Sequence, residues 1–201
     1  MRSPRSERKR QRILESAGHC FAQRGFAKTT VEEIAAGAGV SKGLVYTYFR
    51  GKEALLDAVL EETLREWRAA VDASVREPGL GARDRILRRQ RASIDFARSH
   101  PVLRAIFARD PGVMLLGLET RFESEMKEWR CELQELLREG IRSGELRADL
   151  DVDRAADVLR VLYGSIIARL FEESSINVAE EGFLSAVSDL VLRGIAAGET
   201  R

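Results

Sequence analysis

Apolar residues recur at helical spacing along nearly the whole chain, and the alternating pattern of a half-buried strand is almost absent. Ile13, Leu14, Ala17 and Phe21 share one face of a helix predicted over residues 6–24, with Gly25 as its stop. A short second helix opens on Thr30-Val31-Glu32-Glu33, where a threonine and a glutamate three residues apart can each satisfy a free amide of the first turn. It buries Val31, Ile34, Ala35 and Ala38 and ends at Gly39. Ser41 caps a third short helix, with Val45 and Phe49 facing inward. Gly51 breaks the pattern. A long helix follows over 52–77, with Leu55, Val59, Leu64, Trp67 and Val71 as its stripe. Pro78-Gly79-Leu80-Gly81 is a turn. Further helices are predicted over 82–98, over 101–108, from between 113 and 121 to 143, over 151–173 and over 179–197. The fold expected is all-α, with about nine helices.

Charge adds a polarity to this picture. The chain carries a net +1, but residues 1–52 hold eleven positive and four negative side chains against 22 and 28 in the remainder. A basic head on an acidic body points to a polyanion as the head's partner. The basic start, residues 2–12, reads either as an arm that follows phosphates or as a solvated tail. The opening residues lack the apolar run of a signal peptide, and no apolar stretch is long enough to span a membrane, so a cytoplasmic protein without membrane contact is expected. Cys20 and Cys131 have no metal-ligand spacing and read as small buried hydrophobes, and His19 and His100 are isolated. No metal site and no cofactor are expected.

Two short helices joined by a glycine-containing turn form a helix-turn-helix, whose second helix can enter the major groove of DNA. Residues 29–56 read TTVEEIAAGAGVSKGLVYTYFRGKEALL, preceded by Gly25-Phe26 and the Ile13-to-Phe21 apolar face. This run resembles the signature of the TetR family over about residues 8–60. The resemblance implies a dimeric all-α repressor released from double-stranded operator DNA by a small molecule held in its C-terminal part. It places Thr30 at a phosphate. It sets Ser41, Lys42, Gly43 and Leu44 at the groove-facing start of the recognition helix, Tyr46 and Tyr48 at the backbone, and Lys52 at a second phosphate. Free amides at helix N-termini, a lysine within reach of guanine acceptors and a leucine against a thymine methyl suit those roles. Leu44 stands where the family often has a small hydroxyl residue, and Tyr48 where histidine is common, so base preference does not carry over.

A head over 1–53 and a ligand-binding and dimerisation domain over 54–201 are expected, joined through the long helix. The helix over 151–173 is apolar almost all round, which requires cover on two sides. Leu159, Leu162 and Ile166, with Val187, Leu190 and Val191 of the last helix, are the residues expected at a homodimer seam. Trp67, Phe107, Phe122, Met126, Trp129 and Tyr163 are the candidate lining of a pocket for an apolar or aromatic effector. The competing reading is a DNA-binding protein of the same fold with no small-molecule ligand. Catalysis is not expected: the acidic residues spread along solvated faces, neither histidine has a nucleophile partner and no phosphate-cradling glycine loop occurs.

Overall fold

A computed structural model describes residues 3–100, 102–103, 119–171, 177–178 and 180–197, with the backbone alone for 119–122. Among the described residues there are eight helices: α1 (Pro4–Lys28), α2 (Val31–Ala38), α3 (Lys42–Tyr48), α4 (Lys52–Ala73), α5 (Ala82–Ser99), α6 (Glu119–Ser143), α7 (Val152–Arg169) and α8 (Glu181–Ile195). The helix expected over 101–108 lies for the most part outside the described residues.

The chain divides into two compact units, the first reaching Glu66 and including His100, Val102 and Leu103, the second holding Trp67–Ser99 and the described residues from 121 onward. The division falls further along α4 than the expected 53/54 boundary, because Leu55, Leu56, Val59 and Leu60 pack into the core of the first unit.

In the first unit Ile13, Ala17, Ile34, Leu55 and Leu56 are fully buried, around the α1–α2–α3 assembly. The α1 axis breaks at Gly25, whose φ of 74° a side chain would strain. Behind the break, the buried Thr29 hydroxyl donates to the carbonyls of Gly25 (2.8 Å) and Cys20 (3.1 Å), fixing the approach to α2. The start of α1 is helical rather than the solvated tail that was one of the two expected readings. Residues from Pro4 onward are helical, because Ser3 caps the first turn by accepting from the Ser6 amide and Pro4 suits a helical first position.

The second unit buries Ile86, Ile94, Leu137, Leu146 and Ala156. Glu145, just past α6, accepts from the amides of Ala82 (3.2 Å) and Arg83 (3.3 Å) and so caps α5 from a distant part of the chain. Leu146 pairs with Ala196 in an isolated antiparallel bridge, which ties the end of α8 to the same corner. Two helices end about one turn earlier than predicted. After Ala73 the Ser74 hydroxyl takes the Val71 carbonyl and the next amides bond three residues back; after Arg169 the Phe171 amide likewise bonds Ala168. Cys20 is partly buried against the first core, whereas Cys131 is exposed, contrary to the burial expected of it.

Candidate nucleic-acid interface

The local rules of the sequence position the interface. Thr30 accepts from the Glu33 amide (3.3 Å) while the Glu33 carboxylate accepts from the Thr30 amide (3.0 Å), so both partners of the predicted capping box are in place. Gly39 ends α2 in the left-handed conformation at φ 63°, and its amide returns to the Ala35 and Ala36 carbonyls. That turn sets α3 behind α2. Ser41 caps α3 by accepting from the Leu44 amide (3.2 Å). Val45 and Phe49 are buried, as the four-residue spacing predicted, and hold α3 against the core.

The opposite face of α3 is open. Lys42 and Gly43 are exposed, Leu44 is half-buried and Tyr46 is 48% exposed. A Cβ at Gly43 would meet no heavy atom within 4 Å. Lys42 pairs with Glu32 of α2, and its ammonium lies 5.8 Å over the Tyr46 ring. The hydrogen bond from Lys42 holds the Glu32 carboxyl below its ordinary range, and the same bond raises Lys42. The Thr30 and Ser41 hydroxyls serve as acceptors in these caps, which leaves each a proton to donate.

Two predicted contact residues also have partners within the unit. Tyr48 packs beside the core, and its hydroxyl lies 2.9 Å from the Ser6 Oγ, which ties the start of α1 to α3. The Lys52 ammonium donates to the carbonyls of Phe26 (2.8 Å) and Ala27 (3.3 Å) and lies 4.4 Å over the Phe26 ring. It closes the last turn of α1 behind the Gly25 break, and one of its three protons remains. Residues 5–12 extend α1 with Arg5, Arg8 and Arg12 exposed, a basic surface on a helix.

In the second unit Trp67 and Trp129 border one cleft of about 270 Å³, open mouth included, together with Val71, Arg68, Asp72, Arg89, Glu125 and Glu132. The charged wall was not foreseen. Arg68 bonds Glu125 (2.9 Å), Glu128 (2.8 Å) and Glu132 (3.0 Å), and Arg89 bonds Glu132 and Asp72. These partners stand more than forty residues apart or on different helices, beyond what spacing reveals. The Trp129 indole nitrogen is buried without a hydrogen-bond partner. Met126 is half-buried and does not border the cleft. Tyr163 lies in the core at 4% exposure, its hydroxyl pushed up to about 12 by burial. Phe107 and the Phe122 side chain lie outside the described residues.

Of the six residues expected at a dimer seam, Leu159 and Ile166 belong to the chain's own core at 3% and 4% exposure. Leu162, Val187 and Val191 are half-buried, and Leu190 is 72% exposed. Val158 (64%) and Val161 (57%) complete the outward apolar set. On α7 Val158 and Val161 lie beside the expected Leu162, which is half-buried, whereas Leu159 and Ile166 turn into the core.

A capped pair of short helices with a glycine turn, presenting the N-terminal face of the second helix to solvent, defines a helix-turn-helix DNA-binding protein. The family described as bacterial regulatory proteins, tetR family, matches residues 13–59. The HTH-type transcriptional repressor KstR2 of Mycobacterium tuberculosis is 32% identical over 148 residues, covering 72% of each chain. The solved structure of the ketosteroid transcriptional regulator KstR2 from that organism is 27% identical and superposes with a TM-score of 0.70, covering 94% of this chain and 95% of the other. The transcriptional regulator FadR of Bacillus subtilis shares the fold at a TM-score of 0.72 and 21% identity, over 92% of this chain and 99% of that one. The chain belongs to the tetR family and is a DNA-binding transcriptional regulator.

Proposed function

We propose that the chain acts as a homodimeric repressor that releases operator DNA when a small apolar or aromatic effector enters its second unit. The observation that carries the dimer is the outward apolar set Val158, Val161 and Leu190, which the chain by itself leaves in water. The open space above Gly164 and Gly194, one turn beyond Val161 and Leu190, supports close approach of partner helices. In this reading Thr30, Ser41, Lys42 and Tyr46 meet phosphates or base edges, Gly43 and Leu44 face the groove, and Lys52 offers its remaining proton.

The cleft between Trp67 and Trp129 supports the effector. The cleft's volume is mostly open mouth and its wall includes Arg68, Asp72, Arg89, Glu125 and Glu132, so an effector must both widen it and part some of those ion pairs. KstR2 is described as a ketosteroid regulator, and the B. subtilis FadR structure is a complex with stearoyl-CoA, both bulky apolar chemistries. Release then requires that the effector favour the DNA-free form, and by linkage DNA must weaken the effector equally. Titrating apolar compounds against the protein with and without a duplex tests this: identical affinity in both conditions refutes release. Leu190→Glu tests assembly. It places a charge in the seam and is expected to sediment as a monomer with lost tight DNA binding. A Leu190→Glu protein that stays dimeric refutes the seam.

A further inference from the structure

The contact between Glu32 and Lys42 lies where the recognition helix starts, at the surface of the unit. Their side chains are 59% and 49% exposed, and neither belongs to the buried core. Glu32 follows the capping residue Thr30 by two positions, on the same helix end whose amides and hydroxyl face an incoming phosphate. The capping itself is done by Glu33, which also pairs with Arg24, so Glu32 is free of that duty. Its acceptor is committed instead to Lys42, the first residue of α3.

We propose that Glu32 is an intramolecular stand-in for DNA phosphate, which occupies Lys42 in the free protein and limits the sequence-independent part of DNA affinity. This rests on the reading that Lys42 meets DNA. An exposed pair is weak enough for a phosphate to open it. Opening has a consequence that an unpaired lysine would not have. The freed carboxylate stays at the edge of a polyanion, where it repels the duplex and retains a cation. Part of the counterion release that Lys42 would give is thereby cancelled. A duplex that offers phosphates alone gains little from Lys42, whereas one that also satisfies the base-reading face of α3 still binds. Glu32 is thus a positioning residue acting through Lys42, not a contact of its own.

The test uses the full-length protein and a duplex of arbitrary sequence, so no operator is required. Binding is measured from low to moderate salt for wild type, Glu32→Gln, Lys42→Ala and the double variant, with Glu32→Asp as a conservative control. Glu32→Gln is expected to bind about two- to fivefold more tightly per chain at low salt. Its slope of log affinity against log salt is expected to steepen by up to about 0.9 per chain. Glu32→Asp should stay close to wild type, and thermal unfolding should stay nearly unchanged throughout. The gain should vanish in the Lys42→Ala background. Unchanged affinity and slope in Glu32→Gln overturn the proposal, and so does a gain that survives intact without Lys42, which would leave simple repulsion. Lys42→Ala alone should stay within about twofold of wild type on this duplex, because Glu32 already offsets Lys42 there; a double variant that binds as tightly as Glu32→Gln places Lys42 outside the interface, and both this proposal and the contact reading beneath it fall.

Discussion

Gly43 offers a substitution whose effects on stability and on function should have opposite signs. It is the second residue of α3, exposed, with no heavy atom within 4 Å of the place a Cβ would take. Alanine there meets nothing in the protein. Replacing glycine by alanine inside a helix is worth roughly 0.5–1 kcal/mol, and less in the first turn of a short helix. Gly43→Ala should therefore unfold at the wild-type temperature or a few degrees above it, taking about 2–4 °C per kcal/mol for a chain of this size. DNA binding should move the other way. If the α3 backbone approaches the groove at Gly43, an added methyl lifts the helix start and lengthens the contacts of Ser41, Lys42 and Leu44. Loss of even one good base-edge contact is worth about 1–3 kcal/mol, or roughly fivefold to somewhat over a hundredfold per chain. Thermal unfolding gives the first quantity, and fluorescence anisotropy with a duplex selected from a random pool gives the second. Gly43→Ala that binds as tightly as wild type refutes the close approach, and Gly43→Ala that is destabilised refutes the open space.

Lys52→Ala removes the donor shared by the Phe26 and Ala27 carbonyls, and about 1–2 kcal/mol of stability should go with it, seen as a lower urea midpoint. If its third proton reaches a phosphate, the same variant should bind all duplexes more weakly with a salt slope shallower by about 0.9 per chain, and an unchanged slope would leave Lys52 a purely structural tie. Burial pushes the Glu145 carboxyl up, but the amides of Ala82 and Arg83 and the Ser143 hydroxyl outweigh it and hold the group below 4.5. Its stabilisation is thus complete above that pH and fades as the pH falls through the lowered value, so Glu145→Gln should flatten the acid side of the melting-temperature curve, and parallel curves would contradict the cap.

The DNA-binding unit was legible almost residue by residue because its signals are local. Thr30 with Glu33, Gly39 and Ser41 each act within four residues, and the structure places them as their spacing implied. The basic start of the chain misled for an instructive reason. Its charge run drew attention, while Ser3-Pro4, a cap followed by a residue suited to a helical first position, carried the decisive signal. Tyr48 and Lys52 carry side chains suited to DNA contact, but Ser6, Phe26 and Ala27 lie over twenty residues away and claim their polar atoms first. The charged wall of the Trp67–Trp129 cleft was hidden for the same reason, since Arg68 and its carboxylates sit on different helices.

The α7 helix shows where periodicity alone stops discriminating. With apolar residues on two faces, either face could be the inner one, and the choice of Leu159, Leu162 and Ile166 as the outer set was one of two consistent answers. The chain's own core settles most of it: Leu159, Tyr163, Ile166 and Ile167 are each at most 5% exposed, leaving Val158 and Val161 outward, three residues apart on one stripe, with the expected Leu162 half-buried at its edge. Residue size then adds what burial cannot. Gly164 follows Val161 by three residues and Gly194 follows Leu190 by four, and above each a Cβ would stand in open space. A solvated helix face gains nothing from glycine, which costs helix stability. Valine and leucine exposed in water gain nothing either. Both choices fit the proposed dimer, in which a helix of a second copy would come close over these positions and present the same face in return, as a two-fold seam requires. The apolar excess that left α7 ambiguous is, in the proposed dimer, the surface that a partner covers.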